Sequence, residues 1–264
     1  FPLDGKWVLI LSPIEMERQQ EKYWNLNSTV AFIGDMNWET GQFVVDSYDE
    51  IDGGLDFYAP QTCQGPNGER YMVAWMQMWQ RSIPSHDLGH GWAGSMTLPR
   101  KLSLKDGRLV QELPESVKDH FLVENAPETI VKGNQITIPA RGKQTLFEIG
   151  AKSGRSFILS YGNESDADSA LQLIYDAFNK RFSLSRDQFG YLISGKESPE
   201  IQSRWIQLDG EKDHHFSILR DTNSIEVFVD GKTLSMTFYE TTENPVYTLT
   251  ADEGVDWVVK TYQK

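Results

Sequence analysis

The side chains best suited to chemistry cluster between Asp49 and Thr62, where Asp49, Glu50, Asp52 and Asp56 precede a strand pattern carrying Phe57 and Tyr58. Carboxylates hydrogen-bond vicinal sugar hydroxyls in pairs, and aromatic rings cover the apolar faces of sugars. Gly53 and Gly54 would let backbone approach a ligand closely. The same spacing also describes an acidic, solvated loop leading into a buried strand. A second aromatic group, Trp75-Met76-Gln77-Met78-Trp79, ends a strand pattern with both indoles on one side and Gln77 between them. Such a row is either a sugar platform or a row of core residues.

Other candidate groups carry less. His86 and His90 stand four apart, a spacing that on a helix would make a metal pair, but Pro84, Gly89 and Gly91 oppose a helix there and no Glu follows His86. No metal ligand is assigned. His214 and His215 are adjacent in a strand pattern and read as a surface feature, whereas Cys63, with no His or cation near it in sequence, reads as a packing residue. The chain has no serine elbow, phosphate loop or dinucleotide fingerprint, so no cofactor is expected. Glycoside hydrolysis needs only two acids flanking a bond, and spacing alone does not single out a pair.

Strands must position these groups. Trp7–Leu11, Ser28–Ile33, Gln42–Val45, Phe57–Pro60 and Tyr71–Met76 read as strands, with turns at Asp35–Gly41 and Gln64–Gly68. Short strands with glycine-containing turns suit the radial repetition of propeller blades, here between one and two blades before about residue 110. The character changes over Leu109–Pro127, where Gln111–His120 reads as a short helix or an irregular connector. Further strands follow at Gln135–Ile138, Thr145–Ile149, Ser156–Ser160, Leu171–Tyr175, Arg181–Leu184 and Trp205–Leu208. His215–Arg220, Ser224–Val229 and Thr233–Phe238 alternate with period two and are joined by hairpins at Asp221–Asn223 and Asp230-Gly231, the pattern of a β-sandwich. Asn163-Glu164-Ser165 and Asn223-Ser224-Ile225 read as loop tips. The reading is all-β, in two units that meet near residues 110–128.

Composition bounds the function. At 39% hydrophobic residues, the 264-residue chain has enough apolar content for packed cores. A net charge of −13 repels phosphate backbones, so nucleic acid is a poor partner. Its apolar runs are strand-length, short of the ~20 residues of a membrane helix, and no membrane partner is expected. A single cysteine excludes an internal disulfide and favours a reducing, cytoplasmic location, with secretion the alternative. Asp4-Gly5 marks a tight turn right at the start. The expectation is a chain that opens within a sheet whose other strands lie upstream, as the back part of a longer protein.

Asp52-Gly53-Gly54-Leu55-Asp56-Phe57-Tyr58-Ala59-Pro60-Gln61-Thr62, followed by Ala74-Trp75-Met76-Gln77-Met78-Trp79, resembles glycoside hydrolase family 32. So do His86–Arg100 (HDLGHGWAGSMTLPR), Lys101-Leu102-Ser103-Leu104 and the strand Asp221–Val229 (DTNSIEVFV). Bacterial sucrose-6-phosphate hydrolases and β-fructofuranosidases are the members it is most similar to. The resemblance implies the last blades of a five-bladed β-propeller in residues 1–110, a linker at 111–129 and a C-terminal β-sandwich over 130–264. It also implies that Asp52, Asp56, Tyr58, Gln61 and Trp75 belong to the sugar-contacting rim.

The family's catalytic motifs have no counterpart. Its nucleophile lies in Asn-Asp-Pro-Asn-Gly, for which the nearest string is Gly65-Pro66-Asn67-Gly68, and its transition-state Asp lies in Arg-Asp-Pro, which neither Arg186-Asp187-Gln188 nor Arg220-Asp221-Thr222 matches. Its acid/base Glu lies in Glu-Cys-Pro, just upstream of the strand that matches Lys6–Leu11. Cys63 replaces a usual aromatic and Ala74 a usual glycine. The resemblance therefore implies the C-terminal part of a retaining β-fructosidase, inactive alone, with no catalytic residue assigned here. Its expected partners are a fructose-containing oligosaccharide and the upstream catalytic half of the same enzyme. The alternative is a non-catalytic carbohydrate-binding or homodimerisation module.

Overall fold

The computed structural model describes residues 1–120, 128–131, 135–140, 142, 144–164, 169–208 and 211–262. Strands β1 (Pro2–Leu3), β2 (Lys6–Leu11), β3 (Val30–Asn37) and β4 (Gln42–Glu50) form an antiparallel sheet in chain order. β5 (Tyr58–Gln64), β6 (Arg70–Trp75), β7 (Arg100–Lys105) and β8 (Arg108–Glu112) form a second sheet of the same kind. The two share one apolar core, to which the first gives Val8, Ala31 and Ile33 and the second Met72, Ala74 and Leu102. Two hairpins here turn on Asp-Gly pairs, with φ of 47° and 82° at Asp4-Gly5 and 51° and 73° at Asp106-Gly107. Positive φ at both central residues is what the twist of a two-residue hairpin demands, and Asp-Gly supplies it with little strain.

Between β6 and β7 lies a one-turn helix, α1 (Pro84–Asp87). Pro84 sits in its first turn, where a missing N–H costs nothing. Residues argued above to oppose a helix therefore bound one, although it ends before His90. Of the two forms expected of Gln111–His120, the short helix is found, over its second half only. Gln111 still pairs within β8, and a short helix, α2 (Glu115–His120), follows Pro114. Residues 121–127 of the expected connector, and Ser165 of an expected loop tip, lie outside the described residues.

Beyond α2 come β9 (Glu128–Val131), β10 (Gln135–Pro139), β11 (Gln144–Ala151), β12 (Phe157–Gly162), β13 (Ala170–Asp176) and β14 (Arg181–Ser185). β15 (Ser203–Gln207), β16 (His214–Arg220), β17 (Ser224–Val229), β18 (Lys232–Thr237), β19 (Val246–Ala251) and β20 (Val255–Tyr262) complete the chain. They form two six-stranded antiparallel sheets, ordered β10-β19-β12-β13-β14-β15 and β18-β17-β16-β11-β20-β9. One core joins them, with Phe157, Leu173 and Phe182 from the first sheet against Phe147, Phe216 and Val227 from the second. The sequence reading did not include β7 and β8 of the second four-stranded sheet, nor β9, β19 and β20 here. Adjacent β19 and β20 enter different sheets, so neither completes a local hairpin.

Two single-residue readings are corrected. His214 is buried, not a surface feature: its Nδ1 lies 2.8 Å from Asp230 Oδ2 and its ring meets Tyr175 edge-on. Only His215 faces solvent. Cys63 is exposed, not packed, because the inward positions of the second sheet fall on Met72 and Ala74.

Candidate functional site

Asp52 and Asp56 are 3% and 1% exposed, so neither carboxylate lies on an open rim. Both belong to a segment that lies along β18, the edge strand of its sheet. The Gly53 N–H donates to Thr233 O at 2.9 Å, and the Leu55 N–H donates to Ser235 O at 2.8 Å. On β18, Leu234 and Met236 alternate into the core, which turns Thr233, Ser235 and Thr237 toward the two aspartates. Asp52 accepts from Gly54 N, Ser235 N, Thr233 Oγ1 and Ser235 Oγ at 2.8–2.9 Å. Gly54 is required for this approach: a Cβ there would lie 2.2 Å from both the N and the O of Ser235.

Guanidinium groups complete the clasp. Arg100, fully buried, pairs with Asp52 at 2.8 Å and Glu226 at 2.9 Å, and it lies over the Phe57 ring at 4.7 Å. Asp56 is held by Arg186 at 2.6 Å and Arg81 at 2.9 Å, and Arg81 also reaches Glu197 at 2.6 Å. Burial alone would raise the Asp56 carboxyl, but Arg186 and Arg81 outweigh it and hold the group below its ordinary value. The resulting salt bridges tie the second four-stranded sheet to both six-stranded sheets. Sequence reasoning missed Arg81, Arg100, Arg186 and Glu226. The one local signal for them was the alternating hydroxyls at Thr233, Ser235 and Thr237.

Tyr58, Gln61 and Trp75 do come together. Tyr58 lies opposite Trp75 and Gln61 opposite Val73, one residue more on β5 than on β6. That extra residue is a β-bulge, with Ala59 at φ 48°. Without it, Tyr58 and Gln61 would point to opposite faces; with it, both share the face of Trp75. Gln61 is exposed and Trp75 half-buried, while Tyr58 is buried and donates its hydroxyl to Ser12 O at 3.2 Å. Trp79, 59% exposed, meets Trp75 edge-to-face at 5.0 Å between ring centroids. Met96 bridges to Trp75 on the other side and is also exposed. Gln77, expected between the indoles, is instead buried and donates to the Tyr239 hydroxyl at 3.2 Å. The outcome is an indole-rich patch with one amide beside it, able to stack on a sugar face and hydrogen-bond one hydroxyl.

Glu50 ends β4 with both carboxylate oxygens 3.2 Å from the Tyr23 N–H. Burial pushes its carboxyl up to about 8, and the charges of Asp52 and Asp49 add to the rise. Among the described residues no group of three or more His, Cys, Asp or Glu side chains could hold a metal ion.

The profile of the Glycosyl hydrolases family 32 N-terminal domain matches residues 1–113, and that of Glycosyl hydrolases family 32 C terminal matches residues 111–262. The chain belongs to glycoside hydrolase family 32. A sucrose-6-phosphate hydrolase of Zymomonas mobilis is 30% identical to this family 32 chain over 239 residues, 87% of this chain and 44% of the relative. One from Escherichia coli is 30% identical over 264 residues, covering 97% and 52%. In fold, the chain is similar to the Bombyx mori GH32 β-fructofuranosidase, with a TM-score of 0.83 and 21% identity over 100% of this chain and 53% of that one. Sucrose-6-phosphate hydrolase from Lactobacillus gasseri gives 0.84 and 20%, over 99% and 53%. A variant of the Bombyx enzyme is solved in complex with sucrose. The chain thus spans about half the length of these relatives.

Proposed function

We propose that this chain is the C-terminal part of a retaining hydrolase of β-fructosides, sucrose or sucrose 6-phosphate, in which Gln61 and Trp75 contact the sugar and the buried Tyr58, opposite Trp75, supports them from within instead of touching the sugar itself. The grouping of these three side chains on one face carries the reading, in a family 32 chain whose relatives are named sucrose-6-phosphate hydrolases. In this reading residues 1–110 are the last blades of the propeller, 111–129 the linker and 130–264 the sandwich. Asp52 and Asp56 serve the rim from behind, by fixing the segment that leads into β5. A retaining glycosidase needs one carboxylate to attack the anomeric carbon and another to protonate the leaving oxygen. The upstream half of the enzyme supplies both, and the present chain alone is inactive.

A place for that half is offered by the outer face of the first sheet. Leu9, Phe32 and Tyr48 form one cross-strand row, with the Phe32 and Tyr48 rings stacked at 5.4 Å. Trp7 and Trp38 pack edge-to-face beside it at 5.0 Å, and Trp38 is 68% exposed. Contiguous apolar faces of this kind mark interaction sites. The upstream half is the assigned occupant; a second copy of the chain, giving a homodimer, is the alternative.

Adding sucrose to the purified chain is expected to shift its tryptophan fluorescence, and Trp75→Ala should abolish the shift with only a modest fall in melting temperature. A large fall in melting temperature, with the sucrose response kept, would return Trp75 to core packing, where truncation costs ~3–5 kcal/mol.

A further inference from the structure

A second, separate groove lies between the segment connecting β2 to β3 and the edge strand β15. Its volume is ≈ 200 Å³, and Glu21, Trp24, Arg181, Glu200, Arg204 and Trp205 line it. Both indoles are half-buried and fixed in place. Trp24 donates its Nε1–H to Gln20 O at 2.6 Å and carries Arg18 over its ring at 4.6 Å. Trp205 carries Arg181 at 4.3 Å. Glu21 and Glu200 face Arg181 and Arg204, and Arg18, which pairs with Glu200 at 3.3 Å, brings a third guanidinium to the edge, so charges of both signs are interspersed around the two indoles. Each indole keeps one ring face clear of its guanidinium, and polar side chains surround both, a setting that suits a polyhydroxylated ligand stacking on a ring.

Ser203 and Trp205, which line the groove, alternate with the buried Arg204 and so belong to the outer face of the sheet that β15 ends. A single register row crosses all six strands of that sheet: Thr137, Thr248, Ser160, Gln172, Ser185 and Ser203. All six are hydroxyl or amide side chains, at half-buried or exposed positions. The neighbouring row runs from Ile158 through Ile174 and Ser183 to Trp205. Neither stretch carries a charge, on a chain with a net charge of −13. At roughly 4.8 Å per strand the hydroxyl row is about 24 Å long, the reach of several linked sugar units. Aliphatic side chains beside hydroxyls provide the two kinds of contact that an extended saccharide needs along its length.

We propose that the Trp24–Trp205 groove and the hydroxyl row together form a second saccharide-binding surface, which holds an extended, uncharged β-fructan chain away from the Tyr58–Trp75 site. The choice of fructan over another neutral polysaccharide rests on the fructoside reading above; the surface itself does not. Binding is non-covalent, so an enzyme carrying this surface would keep polymeric substrate close without altering the chemistry at its other site.

The test is affinity electrophoresis of the full chain in gels containing inulin, levan or a soluble β-glucan, with sucrose fluorescence titration in parallel. Retardation by inulin or levan is expected, weakened at least about tenfold by Trp205→Ala and by Ser160→Arg. Ser160 faces outward, so its variant keeps the test valid if Trp205→Ala fails to fold. Trp75→Ala should lose the sucrose response and keep the retardation. No retardation by either fructan, or retardation that Trp205→Ala and Ser160→Arg both leave unchanged, overturns the proposal. Retardation by the β-glucan alone overturns the fructan assignment. Fructan retardation that depends on Trp205 in a chain with no sucrose response supports this surface and overturns the reading of the Tyr58–Trp75 site.

Discussion

Asp56 is flanked by two guanidiniums and by the Thr237 N–H and hydroxyl, all inside the protein. Removing the carboxylate would leave Arg81 and Arg186 buried with less than their full compensation. Breaking a buried pair from one side costs about 3–5 kcal/mol, so Asp56→Ala should lose that much in urea unfolding. A loss below 1 kcal/mol would mean that the aspartate is not the anchor described here. Glu50 gives the opposite pH signature. Its carboxyl is raised from 4.5 to about 8, so the folded state keeps a proton that the unfolded state releases between those values. Stability from this group is therefore full below about 4.5 and is lost as pH rises through about 8. Glu50→Gln should gain stability relative to the parent chain at pH 8 compared with pH 5, read from melting curves at the two values. An unchanged difference would show that Glu50 ionises normally. Asp56 acts in another window, since its lowered value makes its contribution fade only as the solution becomes strongly acidic.

At the scale of elements, the face that carries Tyr58, Gln61 and Trp75 depends on two local devices, a bulge in β5 and the strand-like attachment of residues 52–56 to β18. Gly54 is the tightest point of the attachment. Gly54→Ala would drive a methyl group into the backbone of Ser235 and should cost at least about 1–3 kcal/mol by chemical denaturation. A neutral result would mean that the segment can stand off from β18. Much of this architecture was legible in sequence. Asp4-Gly5 and Asp230-Gly231 announced hairpins through backbone chemistry that acts over two residues, and β16 to β18 announced themselves by alternation. The bulge was not legible, because Ala59 has no special preference for positive φ. Nor were the partners of the aspartates. Arg186 joins Asp56 across 130 residues, and Ser235 joins Asp52 across 183, separations over which local pattern carries no information. The four clustered carboxylates drew attention to the right segment. Asp52 and Asp56, expected at the rim, are instead paired inside the fold, because spacing cannot distinguish an acid that awaits a ligand from one already paired.

For the whole molecule, the salt-bridge clasp makes the four-stranded and six-stranded sheets one connected body. Arg100 alone connects β7 with Asp52 and with Glu226 of β17. In the proposed reading, the Tyr58–Trp75 face is thus built on one unit and steadied by the other, while the reacting carboxylates come from the upstream half. Whether chemistry resides in this chain is decided by incubating the pure 264-residue protein with sucrose and with sucrose 6-phosphate and measuring released fructose. The account predicts no release above the uncatalysed rate from either sugar. Sustained release that Asp52→Asn or Asp56→Asn abolishes, in variants still folded by circular dichroism, would contradict it.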